Sequence, residues 1–388
     1  MTHKTNLLIV GGGIIGTAIA EYMSKRGLKV TLLEKNALGQ GCTKASAGYI
    51  FLQTKKPGIH LELAKNSISM FENYPDSVKN RIGYRSGGGL LLIENEEQLS
   101  IMTKVVSQLK NQGVSVEIIN QNKLKTIQPS IKDKAIAATY CTNDRYINPL
   151  SYLAYLKEEA EYSGVDLREG VTVYNFISEG EYISAVETDH GKFIADYIII
   201  TAGYESKRLA GLIGIRIPLK PLKGQFSEYI TNGSIISIPT LESRYLANKF
   251  GYNVSLDSID PDVLFLGCSL GIVQQDNMVY ISTTREICDT DLVVQPTAKA
   301  TKVMLENAKK FFSLDNITWF ITRAGIRPIS SDGLPIISKT RIHNLLLATG
   351  HGGDGISLAP MTAVVICELL ENKLESSLEK SLSVNRFE

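Results

Sequence analysis

The stretch NLLIVGGGIIGTAIAEYMSKRGLKVTLLEK, Asn6 to Lys35, decides the fold. Asn6 to Val10 is a short apolar run, Gly11 to Gly16 a glycine turn, Thr17 to Arg26 a helical pattern, and Lys29 to Leu33 a second apolar run closed by Glu34. The order is strand, turn, helix, strand, a βαβ unit. In Gly11-x-Gly13-x-x-Gly16 the first glycine permits the tight turn, the second lets backbone approach a pyrophosphate, and the third lets helix and strand pack closely. The helix opening near Ile14 and Ile15 offers free N–H groups and the positive end of its dipole to phosphates. Glu34, at the end of the second strand and followed by Lys35, suits paired hydrogen bonds to ribose hydroxyls and would repel a 2′-phosphate, which argues against NADP. Glycine turns also occur for purely structural reasons, but here strand, turn, helix, strand and acid fall in register. The motif implies a dinucleotide and does not choose between NAD and FAD.

Three further small-residue segments point the same way. GCTKASAGYI, Gly41 to Ile50, follows the acid with small and hydroxyl side chains; Cys42, Thr43, Ala45, Ser46, Ala47 and Gly48 could line a diphosphate and let a ring system lie on the backbone, or could form an ordinary polar loop. IIITAGY, Ile198 to Tyr204, is a buried strand ending in Ala202 and Gly203, where backbone can approach a cofactor. ATGHGGDGISLAP, Ala348 to Pro360, follows a strand and opens a helix near Ser357, so N–H groups around Gly355 and Ile356, preceded by Gly352, Gly353 and Asp354, converge on a second anion site.

Along the rest of the chain, helical periods run from Leu61 to Tyr74, through LSIMTKVVSQLKNQG, from Leu150 to Tyr162, from Ala298 to Phe312 and from Ser357 to Leu370. VTVYNFI and YISAVET read as paired strands. Pro218 to Trp319 is mainly alternating and β-like, including QFSEYI, DVLFLGCSL and NMVYISTT. The expected organisation is one nucleotide-binding domain in three pieces, residues 1–81, 145–215 and 320–388, with a β-rich domain of residues 82–144 and 216–319 inserted twice.

Composition sets the outer limits. The 388 residues, 44% hydrophobic, are enough for a large core. With 41 basic against 40 acidic side chains the formal charge is +1, so no global field favours nucleic acid or an anionic membrane, and the expected partner is a small molecule. Five scattered cysteines, without a C-x-x-C pair, argue against a disulfide framework, a metal site or an iron–sulfur cluster and for a reducing compartment. The N-terminal run imitates an export signal but carries glycines and continues into the charged EYMSKRG, so the expected location is cytoplasmic, free or peripheral to the inner face of the membrane.

One segment resists the composition. TRAGIRPISSDGLPII, Thr322 to Ile337, sets Arg323 and Arg327 in a run of small apolar residues, where an internal salt bridge is the ordinary explanation. Together with IVGGGIIG, LLEK, CTKASAG, NDRYINP, PLKGQ and ATGHGGDGISLAP, in this order, it resembles the D-amino-acid oxidase superfamily of FAD enzymes. The likeness is to the branch of glycine oxidase, sarcosine oxidase, the D-amino-acid dehydrogenases, and the flavin subunits of proline, opine and cyanide-forming glycine dehydrogenases. It covers nearly the whole chain.

The resemblance implies an α/β fold (α+β overall), a Rossmann-like FAD-binding domain with an inserted β-rich substrate domain of mixed or antiparallel sheet. It implies FAD, with Val173 and Gly325 joining the cofactor-binding residues above. The A-G-[IL]-R-P motif places Arg327 on the substrate carboxylate, as a fork of donors lysine could not match; Arg323 is read as structural. It also implies oxidation of a small amino or imino acid (glycine, sarcosine, proline or a D-amino acid). Hydride would pass from the Cα–H to flavin N5 without an obligatory side-chain base, and the imine would hydrolyse to an oxo acid. Sarcosine oxidases attach FAD through a cysteine in the segment matched by TRAGIRP, which has none here, so non-covalent FAD is expected. The electron acceptor is left between dioxygen and a quinone or partner subunit. The alternative is a flavin-bearing β-subunit of a hetero-oligomeric dehydrogenase; homo- and hetero-oligomers both stay open. The long connection before Ile281 is expected at the substrate wall, with Tyr245, Tyr252 and Tyr280 as candidates.

Overall fold

The structure is a computed structural model that describes residues 2–253, 259–288 and 294–388. The opening stretch folds as strand Thr2–Val10, helix Ile14–Ser24 and strand Val30–Glu34. Leu7, Leu8 and Ile9 are fully buried, as expected of a strand covered on both faces. Thr2–Val10 pairs in parallel with Val30–Glu34 on one side and Gly191–Ile200 on the other, so the chain leaves its carboxyl end at a point where neighbouring connections run in opposite directions. Ligands of open α/β sheets sit at such switch points, and Gly11 to Gly13 occupy this one.

The first sheet has eight strands among the described residues. Its main path runs Ile336–Lys339, Leu345–Thr349, Gly191–Ile200, Thr2–Val10, Val30–Glu34, Asp166–Glu169. VTVYNFI and YISAVET form the antiparallel pair Val173–Glu179 and Tyr182–Thr188 attached to Gly191–Ile200. Helices Ile14–Ser24, Gly355–Leu370 and Pro149–Tyr162 bury Ile15, Ile19, Ile356, Ala363, Tyr152 and Leu156 in one core against the sheet.

The second sheet has nine strands among the described residues, drawn from Gly89–Ile93, Val116–Asn120 and Ala137–Cys141 and from the region after Leu219. Helix Ala298–Phe311 packs against it through Ala300, Met304, Ala308 and Phe311. Its longest pair is Leu219–Thr231 with Ile317–Ser330, antiparallel from Leu219 opposite Ser330 to Thr231 opposite Ile317. Residues 320–330 therefore belong to the second sheet by their pairing, although the sequence reading grouped them with the cofactor domain. The register sets Gly224 opposite Gly325 and Leu222 opposite Arg327, while the strand period of two puts Arg323, Gly325 and Arg327 on one face.

One β-like expectation fails. DVLFLGCSL is not a strand: Pro261–Phe265 is a short helix, with Asp260 accepting hydrogen bonds from the N–H groups of Asp262 and Val263 and Pro261 in its first turn. An Asp-Pro start is a strong helix signal and outweighs the local alternation. Residues 254–258 of the long connection lie outside the described residues. All five cysteines are unpaired. Among the described residues no helix is long and apolar enough to cross a membrane, and no group of three or more His, Cys, Asp or Glu side chains is placed to hold a metal.

Candidate active site

A cavity of about 670 Å³ is lined by residues of both sheets. The fold brings most of the sequence candidates to its wall: Gly11, Gly13, Ile14, Ile15, Glu34, Lys35, Val173, Ala202 and Gly203 from the carboxyl edge of the first sheet, Cys42 to Gly48 from the small-residue loop, and Gly352 to Ile356 with Arg327. Gly16 and Gly325 are not on the wall. A Cβ on Gly16 would overlap the Gly11 carbonyl oxygen and come within 2.6 Å of Thr201 Oγ1, which is the helix-on-strand contact read for the third glycine. A Cβ on Gly325 would stand 2.7 Å from Ala45 Cβ and 3.2 Å from Cys42 Cα, so this glycine lets the small-residue loop lie on the arginine strand.

Glu34 is fixed before any ligand arrives. Its Oε2 accepts from Gly12 N at 2.7 Å and its Oε1 from Asn36 N at 2.9 Å, leaving each oxygen a further lone pair toward the cavity. Helix Ile14–Ser24 has no side-chain cap from its own N-cap residue, Gly13. Thr43 supplies one from the loop, its Oγ1 accepting from Ile14 N at 3.0 Å. Helix Gly355–Leu370 begins two residues before the expected Ser357, which places Gly355 and Ile356 in its first turn, where N–H groups have no partner within the helix.

Arg327 is half-buried, with its accessible surface on the cavity. Nη1 donates to the Thr284 carbonyl at 2.9 Å and Nη2 to Thr283 Oγ1 at 2.6 Å. The guanidinium lies over Gly224, where a Cβ would overlap it, and its Cδ is 3.8 Å from where a Cβ on Gly353 would stand, so it sits beside the start of helix Gly355–Leu370. Burial, and after it the nearby Arg285 guanidinium, push its pKa down from the ordinary arginine value. Cys42, Tyr245 and Glu286 act the other way, and among the described residues no carboxylate forms an ion pair with Arg327. Arg323, by contrast, donates from Nε to Glu228 Oε1, an ion pair away from the cavity wall.

Sequence reasoning missed several neighbours of Arg327. Gly224 belongs to PLKGQ, and two glycines facing each other across strands beside an arginine was the available signal. Arg285, Lys249 and Lys55 carry no local pattern. Lys55, 2% exposed, and His60 hold Asp354, with His60 Nε2 at 3.1 Å and Lys249 Nζ at 3.8 Å from its Oδ2. Burial alone would raise the Asp354 carboxyl, but Lys55, Lys249 and His60 together keep it well below the usual carboxylate range. The side chain is thus engaged in ion pairs and does not cap its helix. Of the three tyrosines expected at the substrate wall, Tyr245 lines the cavity; Tyr252 is half-buried against the core near helix Glu96–Lys110 and Tyr280 lies in strand Met278–Ser282 against Phe226.

A glycine-lined cradle at the switch point of a parallel sheet, opening onto a chamber that holds an arginine, is the build of a dinucleotide-dependent enzyme. A family model described as FAD dependent oxidoreductase matches residues 6–369, and the chain belongs to that family. It is 25% identical over 382 residues to glycine oxidase of Geobacillus kaustophilus, covering 96% of this chain and 94% of that one. It is 23% identical over 354 residues to a D-amino acid dehydrogenase of Cereibacter sphaeroides, covering 90% and 75% of the two chains. The crystal structure of glycine oxidase from Geobacillus kaustophilus superposes with a TM-score of 0.85 at 24% identity over 99% of each chain, which shows the shared fold.

The cofactor of the family is FAD, and the residues present fit it. Glu34 is an acceptor held in place for hydroxyl donors, Gly11 and Gly13 leave bare backbone at the head of helix Ile14–Ser24, and a second helix start at Gly355 faces the same cavity. Two separate N–H-rich helix ends on one cavity suit a ligand that carries a pyrophosphate and a second electron-rich edge.

Proposed function

We propose that the chain oxidises a small amino or imino acid at its Cα–N bond, with Arg327 binding the substrate carboxylate. The observation that carries this reading is the half-buried Arg327 guanidinium on the cavity wall, oriented by Thr283 and Thr284 and without a carboxylate partner among the described residues. A planar fork of donors matches a carboxylate in bidentate fashion, and a cation in such surroundings needs an anion to balance it. Glycine oxidase and D-amino acid dehydrogenase, the relatives named above, act on donors of this class.

FAD, when bound, supplies the hydride acceptor. The chain's own residues then have three tasks. Arg327, kept flat over Gly224, fixes the carboxylate and with it the direction of the Cα–H. The N–H groups of Gly355 and Ile356 place positive potential where the cofactor gains negative charge. Glu34 and the turn at Gly11 to Gly13 hold the nucleotide end in register with the chamber. The cofactor contacts at Cys42 to Gly48, Val173, Ala202 and Gly203 belong to the same proposal. So does the division into a cofactor portion built on the first sheet and a substrate portion built on the second, with Ile317–Ser330 assigned to the latter. FAD is held without a covalent bond in this reading, since Thr322 to Pro328 contain no cysteine.

The test is an anaerobic screen in which amino and imino acids are mixed with the FAD-loaded protein and the flavin absorbance is followed. At least one such substrate should bleach it. Arg327→Ala should lose the bleaching while still holding FAD. Unchanged bleaching kinetics in that variant would remove Arg327 from the carboxylate.

A further inference from the structure

Arg285 is a second arginine on the cavity wall, and it follows directly on Thr283 and Thr284, which orient Arg327. Its guanidinium lies over the Tyr245 ring, 3.5 Å from the centroid, and its Nη1 donates to Ser269 Oγ at 2.6 Å. Stacking holds the guanidinium plane while leaving its remaining edge donors free, and neither contact brings a negative charge.

Several acids of this wall among the described residues are already engaged. Glu242 pairs with Arg244, Glu205 with Arg208, Asp354 with Lys55, His60 and Lys249, and Glu286 pairs with Lys223 and accepts from Thr284 Oγ1 and Gln225 Nε2. Among the described residues no carboxylate forms an ion pair with Arg285 or Arg327. Elsewhere in the chain the half-buried Arg145, Arg244 and Arg323 each have an acid, while half-buried Arg85 donates to the Gln274 carbonyl. Among the described residues the chamber wall therefore carries two guanidinium groups that form no ion pair with a carboxylate, although Glu286, itself paired with Lys223, attracts Arg327 without such a contact. Burial would push the Tyr245 phenol up, but Arg285 and then Lys249 hold it below the ordinary value, which reports the same excess of positive charge. A simple amino acid brings one carboxylate and balances one arginine.

We propose that the substrate carries a second acidic group received by Arg285, so that the chain acts on an amino- or imino-dicarboxylic acid. This rests on the amine-oxidising reading above and names its substrate class. Arg327 takes the carboxylate next to the reacting carbon; Arg285, held against Tyr245, takes the distal one and excludes substrates that would leave it desolvated and unpaired.

The experiment uses the FAD-loaded protein in two arms. In the first, acetate, malonate, succinate and glutarate, none of them oxidisable amines, are titrated against the flavin spectrum. One diacid should bind about 10- to 100-fold more tightly than acetate, the range expected for an added charge-assisted pair. Arg285→Met, which keeps the apolar bulk against Tyr245 and removes the charge, should erase that margin. In the second arm, iminodiacetate, aspartate and glutamate of both configurations are compared with glycine, sarcosine and alanine in anaerobic flavin reduction, and a diacid should lead in kcat/KM. If no diacid binds more tightly than acetate to the native chain, the assignment of Arg285 is overturned, whether or not Arg285→Met folds. If monocarboxylic amines reduce the flavin and diacids do so no better, the dicarboxylate class is overturned and the amine-oxidising reading stands. If no amine of either kind reduces the flavin, the amine-oxidising reading falls with it, and the titration arm still decides whether Arg285 receives an acid.

Discussion

Replacing Gly224 by Ala separates fold from function at a single atom. The backbone of Gly224 does not use the left-handed region, so an alanine is conformationally acceptable there. The added Cβ would overlap the Arg327 guanidinium at three of its atoms. What it meets is the far end of a flexible side chain and not backbone, so Arg327 moves and the strand pair Leu219–Thr231 and Ile317–Ser330 stays. The displaced guanidinium loses its seat on Thr283 Oγ1 and the Thr284 carbonyl and is carried out of line by on the order of 1 Å. Misplacement on that scale costs about 100-fold in rate, or about 2.7 kcal/mol of transition-state stabilisation. Stability should change little, because a strand glycine replaced by alanine gains about 0.5–1 kcal/mol against the loss of two hydrogen bonds. The assay is stopped-flow anaerobic flavin reduction by the best substrate from the screen, with thermal unfolding and FAD retention measured on the same sample. Wild-type reduction kinetics in a folded, FAD-loaded Gly224→Ala would refute the placement of Arg327 against substrate. Gly16→Ala is the contrast: its Cβ would overlap the Gly11 carbonyl oxygen, a backbone atom that cannot step aside, so there the loss should be of folding and FAD together.

Arg323→Ala should behave in the opposite way to changes at Arg327. It leaves Glu228, whose side chain is 9% exposed, without its partner, and about 2 kcal/mol of stability should go once the partial exposure of Arg323 is allowed for. A denaturant midpoint reads the loss, substrate affinity should hold, and the double variant Arg323→Met with Glu228→Met should recover part of it. The pH dependence of stability should carry the mark of His351, which burial pushes down to about 3 and which faces Thr362 Oγ1 at 2.9 Å. Its unfolded value is about 6.5, so between those limits the unfolded chain binds a proton the native one refuses, and stability falls as pH falls, by up to about 1.4 kcal/mol per unit. His60, also held down by burial, acts in the same direction. Asp354, depressed in the folded state, stays ionised in both states above about pH 4 and loses its contribution only below that. Urea midpoints at pH 7, 6 and 5 should therefore decline in the native chain and decline less in His351→Asn; equal slopes would count against a neutral buried imidazole.

How much of this was legible in the sequence depends on how far apart the interacting residues lie. The cradle could be read because every constraint in it is local: Gly11, Gly13 and Gly16 are fixed by one turn and one helix, and Glu34 closes the same βαβ unit. The helix at Pro261–Phe265 was misread for a local reason as well, because the Asp260-Pro261 start carried more weight than the alternation of DVLFLGCSL. The loop cap Thr43 on Ile14 was invisible, since the loop's return to the helix is a tertiary event. The substrate chamber stands at the far extreme. Arg327 was singled out because its motif is contiguous, and it lies on the cavity wall, but its seat is made by Gly224, Thr283 and Thr284, and its cationic neighbour Arg285 is braced by Tyr245 of helix Arg244–Lys249 and by Ser269, all brought together by the tertiary fold.

Register is decided by the whole of Leu219–Thr231 and Ile317–Ser330 and not by any short window. A slip of one residue would turn Arg327 to the other face of the sheet and leave Gly224 opposite the wrong partner. The glycine pair Gly224 and Gly325 therefore works in two directions: Gly325 admits Ala45 and Cys42 of the small-residue loop on one strand, and Gly224 admits the Arg327 guanidinium on the other. The small-residue loop and Arg327 meet across these two bare backbone positions, which ties the geometry of the chamber to the geometry of the cradle. Arg327 is placed by the strand pair that carries the glycines and Arg285 by following directly on the Thr283–Thr284 seat, so under the dicarboxylate proposal orientation and distal-group preference rest on separately held side chains. On that proposal, replacing Arg285 alone should change the preferred distal group, while a change at Gly224 or Gly325 should disturb binding of every substrate alike.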